Sequence, residues 1–248
     1  MTTATARLLL VPTPLVDVAL TPLAAVLPQG TIDAAATLQH WIVENAKSAR
    51  AFLGAVHAVQ PLRVPLQQQL LQELPKHTPL DAAAAAALLQ PALGGMDVGL
   101  LSEAGAPCVA DPGATVVAAA HALGVPVVPL VGPSSILLGL MASGLDGQRF
   151  AFHGYLPQQR EARAQAIRQL ERESAQRRQT QLCIETPYRN GALLQALCTT
   201  LRADTRITVA CALTAPQALV RTRSAAQWRG ELATLPDKVP TLFGFLAA

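Results

Sequence analysis

The sequence is poor in aromatic and charged residues. Aromatic residues make up 4% and charged residues 14% of the 248 positions, whereas hydrophobic residues make up 51%. Disordered chains combine low hydrophobicity with high charge, so this composition excludes them. Alanine and leucine supply most of the apolar surface, and both favour helices that pack on sheets. We therefore expect a globular α/β protein with one large domain or two small ones.

Lysine is also scarce, since only Lys47, Lys76 and Lys238 accompany the arginines among 19 basic residues. A net charge of +3 excludes the strong basicity of a dedicated nucleic-acid module. Arginine suits bidentate contacts to phosphate or carboxylate groups. A GC-rich coding bias explains a chain rich in arginine and alanine equally well, so both explanations stay open.

Cysteine motifs and long apolar runs are absent. The four cysteines form no CxxC pair, and the histidine spacing indicates no zinc site, so we expect no bound metal. Buried thiols of this kind are typical of a reducing compartment. Three prolines interrupt the longest apolar stretch, residues 125–142, and the apolar run near Leu8 is too short for a signal peptide. We expect a cytoplasmic protein that spans no membrane.

Apolar runs and turn residues alternate along the first half of the chain. Helices are predicted at 15–27, 32–59, 114–123 and from Asp81, their clearest N-cap, to Leu93. Strands are predicted at 8–11, 98–101 and 125–130, and this alternation is typical of βαβ units with a parallel sheet. A polar turn at 146–148 suggests two domains, 1–146 and 147–248, the second with a mixed sheet. In the second domain, strands are predicted at 150–155, 181–185, 207–213 and 241–246, and helices at 158–181 and 191–201.

Three loops follow the predicted strands of the first half, at 12–16, 102–113 and 131–135. Ligands of open parallel sheets bind beyond the carboxyl ends of the strands. The loop at 102–113 holds two glycines, two prolines and two carboxylates, so its backbone is stiff and accessible to a ligand. It suits a polar ligand that is held mainly by backbone groups. An ordinary connection, with Asp111 capping the next helix, fits the same residues.

The motifs of these loops resemble those of a known family. The segments SEAGAPCVADPG (102–113), GPSS (132–135), ASGL (142–145), FAFHGYLP (150–157) and ETPYR (185–189) stand in the order of the family's conserved elements. They resemble the tetrapyrrole methylase superfamily of S-adenosylmethionine-dependent methyltransferases, in the branch of the 16S rRNA 2′-O-ribose methyltransferase. The resemblance extends over about residues 8–246.

The resemblance implies two α/β domains of the tetrapyrrole methylase type, a homodimer, and S-adenosyl-L-methionine bound in the cleft between the domains. It also implies an RNA acceptor, the ribose 2′-hydroxyl of small-subunit rRNA. The residues expected to bind the cofactor are Pro12, Ser102, Glu103, Ala104, Gly105, Ala106, Pro107, Val109, Ser134 and Ser135.

A hydroxyl acceptor needs a proton acceptor, and Glu185 is our candidate because it ends a strand and precedes Pro187. An ion pair with Arg189 is the alternative role for this carboxylate. Lys47, Arg50 and Arg189 are candidates for contacts to RNA phosphates, with a solvated surface as the alternative.

The sequence departs from the family's pattern in three places. The first loop, VPTPLV, lacks the usual glycine and asparagine, ENAK replaces EDTR at 44–47, and Ala212 and Ala215 stand where the family has charged residues. Two alternatives to an rRNA methyltransferase therefore remain. One is a methyltransferase of a tetrapyrrole or another small acceptor, and the other is a catalytically silent protein that binds the cofactor.

Overall fold

The computed structural model describes residues 6–75, 78–230 and 238–248. The chain forms two compact units, one ending at Ser134 and the other beginning at Ser135. Each unit has one five-stranded sheet covered by helices, which confirms the predicted α/β class with two α/β units. The division falls earlier in the chain than the predicted boundary at 146/147, since the helix that begins at Ser135 packs on the second sheet.

The first unit contains a parallel sheet in the order β3-β2-β4-β1-β5. The strands predicted at 8–11 and 98–101 are confirmed, and the strand predicted at 125–130 is present but shorter. The strands are β1 Leu8–Val11, β2 His40–Val43, β3 Leu70–Glu73, β4 Val98–Leu101 and β5 Val127–Pro129.

Helices cover both faces of this sheet. One face buries Leu9, Trp41 and Phe52 with the first two helices, and the other buries Leu8, Leu89 and Val116 with the later ones. The predicted N-cap is confirmed, because the Asp81 carboxylate accepts a hydrogen bond from the Ala84 amide at 2.7 Å. The helices are α1 Gln29–Thr37, α2 Ala46–Val59, α3 Ala82–Leu88, α4 Gln90–Leu93 and α5 Ala114–Ala122.

Two predictions for the first unit are wrong. The single helix predicted at 32–59 is in fact the end of α1, the strand β2 and the helix α2. Trp41, Ile42 and Val43 are all buried, so β2 shows no alternation of apolar and polar residues that would have marked it as a strand. The helix predicted at 15–27 is reduced to the short 3₁₀ helix Leu23–Ala25.

The second unit contains the mixed sheet that was predicted, and its strands lie in the order β6-β7-β10-β8-β9. Its first two strands are parallel and the other neighbours are antiparallel. Strand β9 is an addition to the predicted elements. The elements are α6 Ser135–Ser143, β6 Phe150–Tyr155, α7 Arg160–Arg177, β7 Thr180–Glu185, α8 Asn190–Thr200, β8 Arg206–Cys211, β9 Leu219–Ser224, α9 Ala225–Trp228 and β10 Thr241–Leu246.

Each face of the second sheet has its own apolar layer. Helix α6 packs on one face, where Ile136 and Leu140 contact a cluster that includes Leu242. Helices α7, α8 and α9 cover the other face around Phe243 and Trp228. The helices in the described ranges include none long and apolar enough to cross a membrane.

The four cysteines are free thiols, and three of them are buried. Burial raises the pKa of the Cys183 thiol to about 12 and that of Cys198 to about 11. Cys108, in the loop at 102–113, is only partly buried, and its thiol pKa is also raised by burial. These thiols therefore stay protonated at neutral pH and serve as apolar packing groups.

Candidate functional site

The carboxyl ends of β1 and β4 lie side by side in the first unit. The chain leaves β1 towards α1 on one face of the sheet and leaves β4 towards α5 on the other face. Two adjacent strands whose connections diverge in this way form a switch point, where open α/β sheets bind their ligands. The loops 12–16 and 102–113 both begin there.

Hydrogen bonds join the 102–113 loop to the end of β1. Thr13 and Gly105 exchange two backbone hydrogen bonds, of 2.9 Å and 3.1 Å. The Ser102 hydroxyl donates to the Gly105 carbonyl at 2.7 Å, and the Thr13 hydroxyl donates to the Ser102 carbonyl at 3.3 Å. These four hydrogen bonds hold the start of the loop against the end of β1.

The third loop, 131–135, meets the first through Pro12. A Cβ atom placed on Gly132 would lie 2.2 Å from Cγ of Pro12, so only glycine allows this approach. The Thr31 hydroxyl donates to the Val131 carbonyl at 2.7 Å and fixes the loop from the other side. The structure therefore brings together the predicted cofactor-binding residues that belong to the first unit.

The backbone of the 102–113 loop has an unusual conformation. Gly105, Cys108, Ala110 and Gly113 all have positive φ, at 80°, 67°, 64° and 128°. For Cys108 and Ala110 this conformation is strained, and such strain is concentrated at ligand sites. Several amides of the loop donate to no acceptor in the described part of the chain, namely those of Ala104, Ala106, Cys108, Ala110 and Asp111. Stiff backbone with free amides is what a ligand held by main-chain groups requires.

Carboxylates surround this loop. Glu44, at the end of β2, accepts a hydrogen bond from the Glu103 amide at 3.2 Å, and the Ser48 hydroxyl donates to the Glu103 carboxylate at 3.1 Å. Partial burial, and then repulsion from Glu44 and Glu103, raises the pKa of the Asp111 carboxyl to about 7. Burial also raises the pKa of Glu44. The cluster favours a ligand that carries positive charge.

The alternative role of Asp111 as a helix cap is wrong. Helix α5 begins after Gly113, which has a positive φ and provides no side-chain cap. Pro112 separates Asp111 from that position, so the carboxylate remains in the loop beside the other acids. Sequence reasoning also missed Glu44 as part of this group, because the strand that it follows was not predicted.

Lys47 and Arg50 lie on α2 with exposed side chains. Asn45 caps this helix by accepting hydrogen bonds from the amides of Lys47 and Ser48, at 2.9 Å and 3.4 Å. The Arg50 guanidinium donates to the Ala46 carbonyl at 3.4 Å. Both cations are free of carboxylate partners among the described residues, so their role in substrate binding stays a prediction.

In the second unit, Glu185 ends β7 and is 5% exposed. Its Oε1 atom accepts hydrogen bonds from the Thr186 amide at 2.7 Å and from the Arg189 guanidinium, with N–O distances of 2.8 Å and 3.0 Å. The ion pair expected as the alternative role is therefore present. A catalytic role for Glu185 and a phosphate contact by Arg189 stay predictions.

The residues that follow this ion pair are also well fixed. The buried Asn190 side chain donates to the Val239 carbonyl at 2.8 Å and to the Thr241 hydroxyl at 2.9 Å. These bonds tie the start of α8 to the start of β10. Ser135, the remaining predicted cofactor contact, is the first residue of α6.

Curated relatives of this chain are ribosomal RNA small subunit methyltransferases I. The relative from Vibrio cholerae is 34% identical over 127 residues, which is 51% of this chain and 43% of that protein. The relative from Synechocystis is 36% identical over 120 residues, 48% of this chain and 42% of that protein. The alignments thus span less than half of the length of these relatives.

Solved structures share the fold. The structure described as the methyltransferase CobJ aligns over 98% of this chain and 95% of its own, with a TM-score of 0.62 and 16% identity. The uroporphyrin-III-C-methyltransferase from Thermus thermophilus aligns over 97% of this chain and 94% of its own, with a TM-score of 0.55 and 17% identity.

A family model decides the classification, since it matches residues 31–227 and therefore parts of both units. This model describes the tetrapyrrole (corrin/porphyrin) methylases. The resemblance seen in the loop motifs is confirmed at the level of the family, and the relatives named above are methyltransferases. The chain belongs to the tetrapyrrole methylase family.

Proposed function

We propose that this chain is an S-adenosyl-L-methionine-dependent methyltransferase that acts on the ribose 2′-hydroxyl of small-subunit rRNA. Family membership supports the cofactor, and the names of the curated relatives support the rRNA acceptor. The observation that carries the proposal is the 102–113 loop at the switch point, with its unpaired amides beside three carboxylates.

The chemistry of the loop fits the cofactor. S-adenosyl-L-methionine carries a sulfonium and an ammonium cation, which the carboxylates Glu44, Glu103 and Asp111 would stabilise. It also carries a carboxylate and ribose hydroxyls, whose oxygens can accept hydrogen bonds from loop amides. In the first unit, the residues proposed to hold the cofactor are Pro12, the loop residues from Ser102 to Pro107, Val109, and Ser134. Ser135 is the corresponding candidate in the second unit.

When bound, the cofactor supplies a methyl group activated by its positive sulfur. The chain's own task is to hold that group and the acceptor oxygen in line and to exclude water. The hydrogen bonds among Thr13, Ser102 and Gly105 suit this task because they fix the loop before the ligand arrives. Such preorganisation lowers the entropic cost of alignment.

Glu185 is the proposed acceptor of the ribose proton. Its pairing with the Arg189 guanidinium fixes the carboxylate at the end of β7. Lys47, Arg50 and Arg189 are proposed to contact RNA phosphates. A homodimer and a cytoplasmic location are further parts of the proposal.

The proposal is tested by methyl transfer from labelled cofactor to RNA, protein and small-molecule fractions of a cell extract. We expect label in 16S rRNA of small-subunit particles. After alkaline hydrolysis the label should remain in a dinucleotide, because a methylated 2′-oxygen cannot attack the adjacent phosphate. Label in a small apolar acceptor would favour the tetrapyrrole alternative. Cofactor binding by calorimetry without transfer to any fraction would favour the silent protein.

A further inference from the structure

Four arginines lie at one end of the second sheet, where β6, β7 and β8 begin. Arg149 precedes β6, Arg177 ends α7, Arg178 follows it, and Arg206 is the first residue of β8. All four are exposed, and we call this group the arginine edge. The Arg149 guanidinium donates to the Arg177 carbonyl at 3.5 Å, which places Arg149 at the carboxyl end of α7.

The carboxylates near the arginine edge are engaged elsewhere. Asp204 pairs with Arg202, Glu171 accepts hydrogen bonds from the Arg202 amide and the Thr205 hydroxyl, and Asp146 accepts from the Gln148 amide. Within residues 6–75, 78–230 and 238–248, the four arginines form no ion pair. Like charges without carboxylate partners repel one another, although Arg149 and Arg206 each donate one hydrogen bond to a backbone carbonyl, of Arg177 at 3.5 Å and of Gly144 at 3.0 Å.

The helix end shows the same mismatch. Arg178 closes α7 in the left-handed conformation, with φ of 48°, and its amide donates to the Ser174 carbonyl. Glycine is the usual residue in this position, because a side chain strains the left-handed backbone. The helix dipole favours cations near its carboxyl end, where the Arg149 guanidinium also donates to the Arg177 carbonyl, but it does not account for Arg206, which lies on β8.

We propose that the arginine edge binds the phosphodiester backbone of RNA. This inference rests on the proposed function for the identity of the partner. Arginine forks match phosphate oxygens in pairs, and an exposed row of them suits a chain of phosphates better than a single ion. Three strand spacings separate β6 from β8, so the row spans about 14 Å.

The arginine edge lies at the opposite end of β7 from Glu185. A six-residue strand separates the two ends by roughly 20 Å. The edge therefore anchors the RNA away from the end of the sheet that carries Glu185. Contacts of this kind position the nucleic acid and contribute affinity without reading its bases.

The test removes two charges from the edge with the double variant Arg149→Gln, Arg178→Gly. Glycine at 178 relieves the strained cap, which offsets the loss of the Arg149 hydrogen bond to the Arg177 carbonyl, and thermal unfolding of the variant checks that the fold is intact. The matched control, Arg168→Gln with Arg172→Gln, removes two charges from exposed positions in the middle of α7.

Binding of 16S rRNA is measured directly over a range of salt concentrations, and KM and kcat are measured on small-subunit particles. For the edge variant we expect about tenfold weaker binding, a salt slope reduced by about 1.5, and a higher KM with unchanged kcat. Cofactor affinity should stay unchanged. The control should resemble the natural protein.

The other possible results separate the arginine edge from the proposed function. Equal losses in the edge variant and the control would show a general effect of net charge, and the edge would have no special role. Methylation with unchanged KM in the edge variant would overturn the edge and leave the proposed function intact. RNA binding that depends on the arginine edge, without any methylation of the RNA, would overturn the proposed function and leave the edge intact. A natural protein that binds anionic vesicles and no RNA would overturn both.

Discussion

At the scale of single residues, Asp111 is held in a loop where its charge is unfavourable. Burial is the main cause of its raised pKa of about 7, and the nearby Glu44 and Glu103 carboxylates add repulsion. Folding therefore favours the protonated form of this group. A positively charged ligand would reverse that preference, since it stabilises the carboxylate.

We predict that Asp111→Asn changes how stability depends on pH. The folded pKa lies above the ordinary value of 3.8, so the contribution of Asp111 to stability is full below about pH 4 and is lost as the pH rises to about 7. The variant should match the natural protein at pH 4 and be more stable at pH 8. We expect a gain of about 1 kcal/mol, because solvent screens a carboxylate that is only partly buried. Urea denaturation at both pH values measures it.

Asp97→Asn is the contrasting variant. Arg7 donates three hydrogen bonds to this carboxylate and holds its pKa below the ordinary value. The stability from this pair is present at neutral pH and is lost in acid, so the variant should be less stable at pH 8. A loss of stability at pH 8 in both variants would contradict the assigned environment of Asp111.

At the scale of elements, the 102–113 loop depends on glycine where it crosses to β1. Gly105 has a φ of 80°, and a Cβ atom there would lie 3.0 Å from a Leu15 methyl group. We predict that Gly105→Val abolishes cofactor binding, because the loop must move to relieve the strain. Calorimetric titration with S-adenosyl-L-methionine measures the effect.

Gly124→Val serves as the control for that substitution. Gly124 also has a positive φ, of 68°, but a Cβ atom there meets nothing within 4 Å, and it lies in the turn between α5 and β5. Both variants should lose roughly 1–2 kcal/mol of stability from backbone strain. Only the variant at Gly105 should lose the cofactor, and equal affinities in the two variants would remove the loop from the site.

Sequence patterns identified elements well where polar residues mark their ends. The strands β1 and β4 and the helix N-cap at Asp81 were predicted because turn residues or a capping side chain border each run. Strand β2 was missed because its buried residues continue the apolar run of α1 and α2. Its pairing with the distant β4 decides its conformation, and no local pattern records that contact.

At the scale of the whole molecule, the order of strands determines which loops share an edge. The parallel pairing of β1 with β4 and β5 brings the three predicted loops to one end of the first sheet, so most of that site could be predicted from the sequence. The group of carboxylates Glu44, Glu103 and Asp111 could not be predicted, because Glu44 follows the strand β2, which was missed. The ion pair of Glu185 with Arg189 was expected as the alternative role of that carboxylate, and the structure contains it.

Helix α6 carries exposed apolar side chains that favour assembly. Helix α6 packs one face on the second sheet, yet Leu137 and Met141, one turn apart on it, are 53% and 79% exposed. Exposed apolar side chains at helical spacing lose contact with water when a second copy covers them, which favours association. We predict a homodimer of two 26.0 kDa chains, with a mass of about 52 kDa by light scattering at micromolar concentration. Met141→Glu should shift the protein towards the monomer, because a buried carboxylate without a partner opposes association. A natural protein of 26 kDa under these conditions would contradict the dimer.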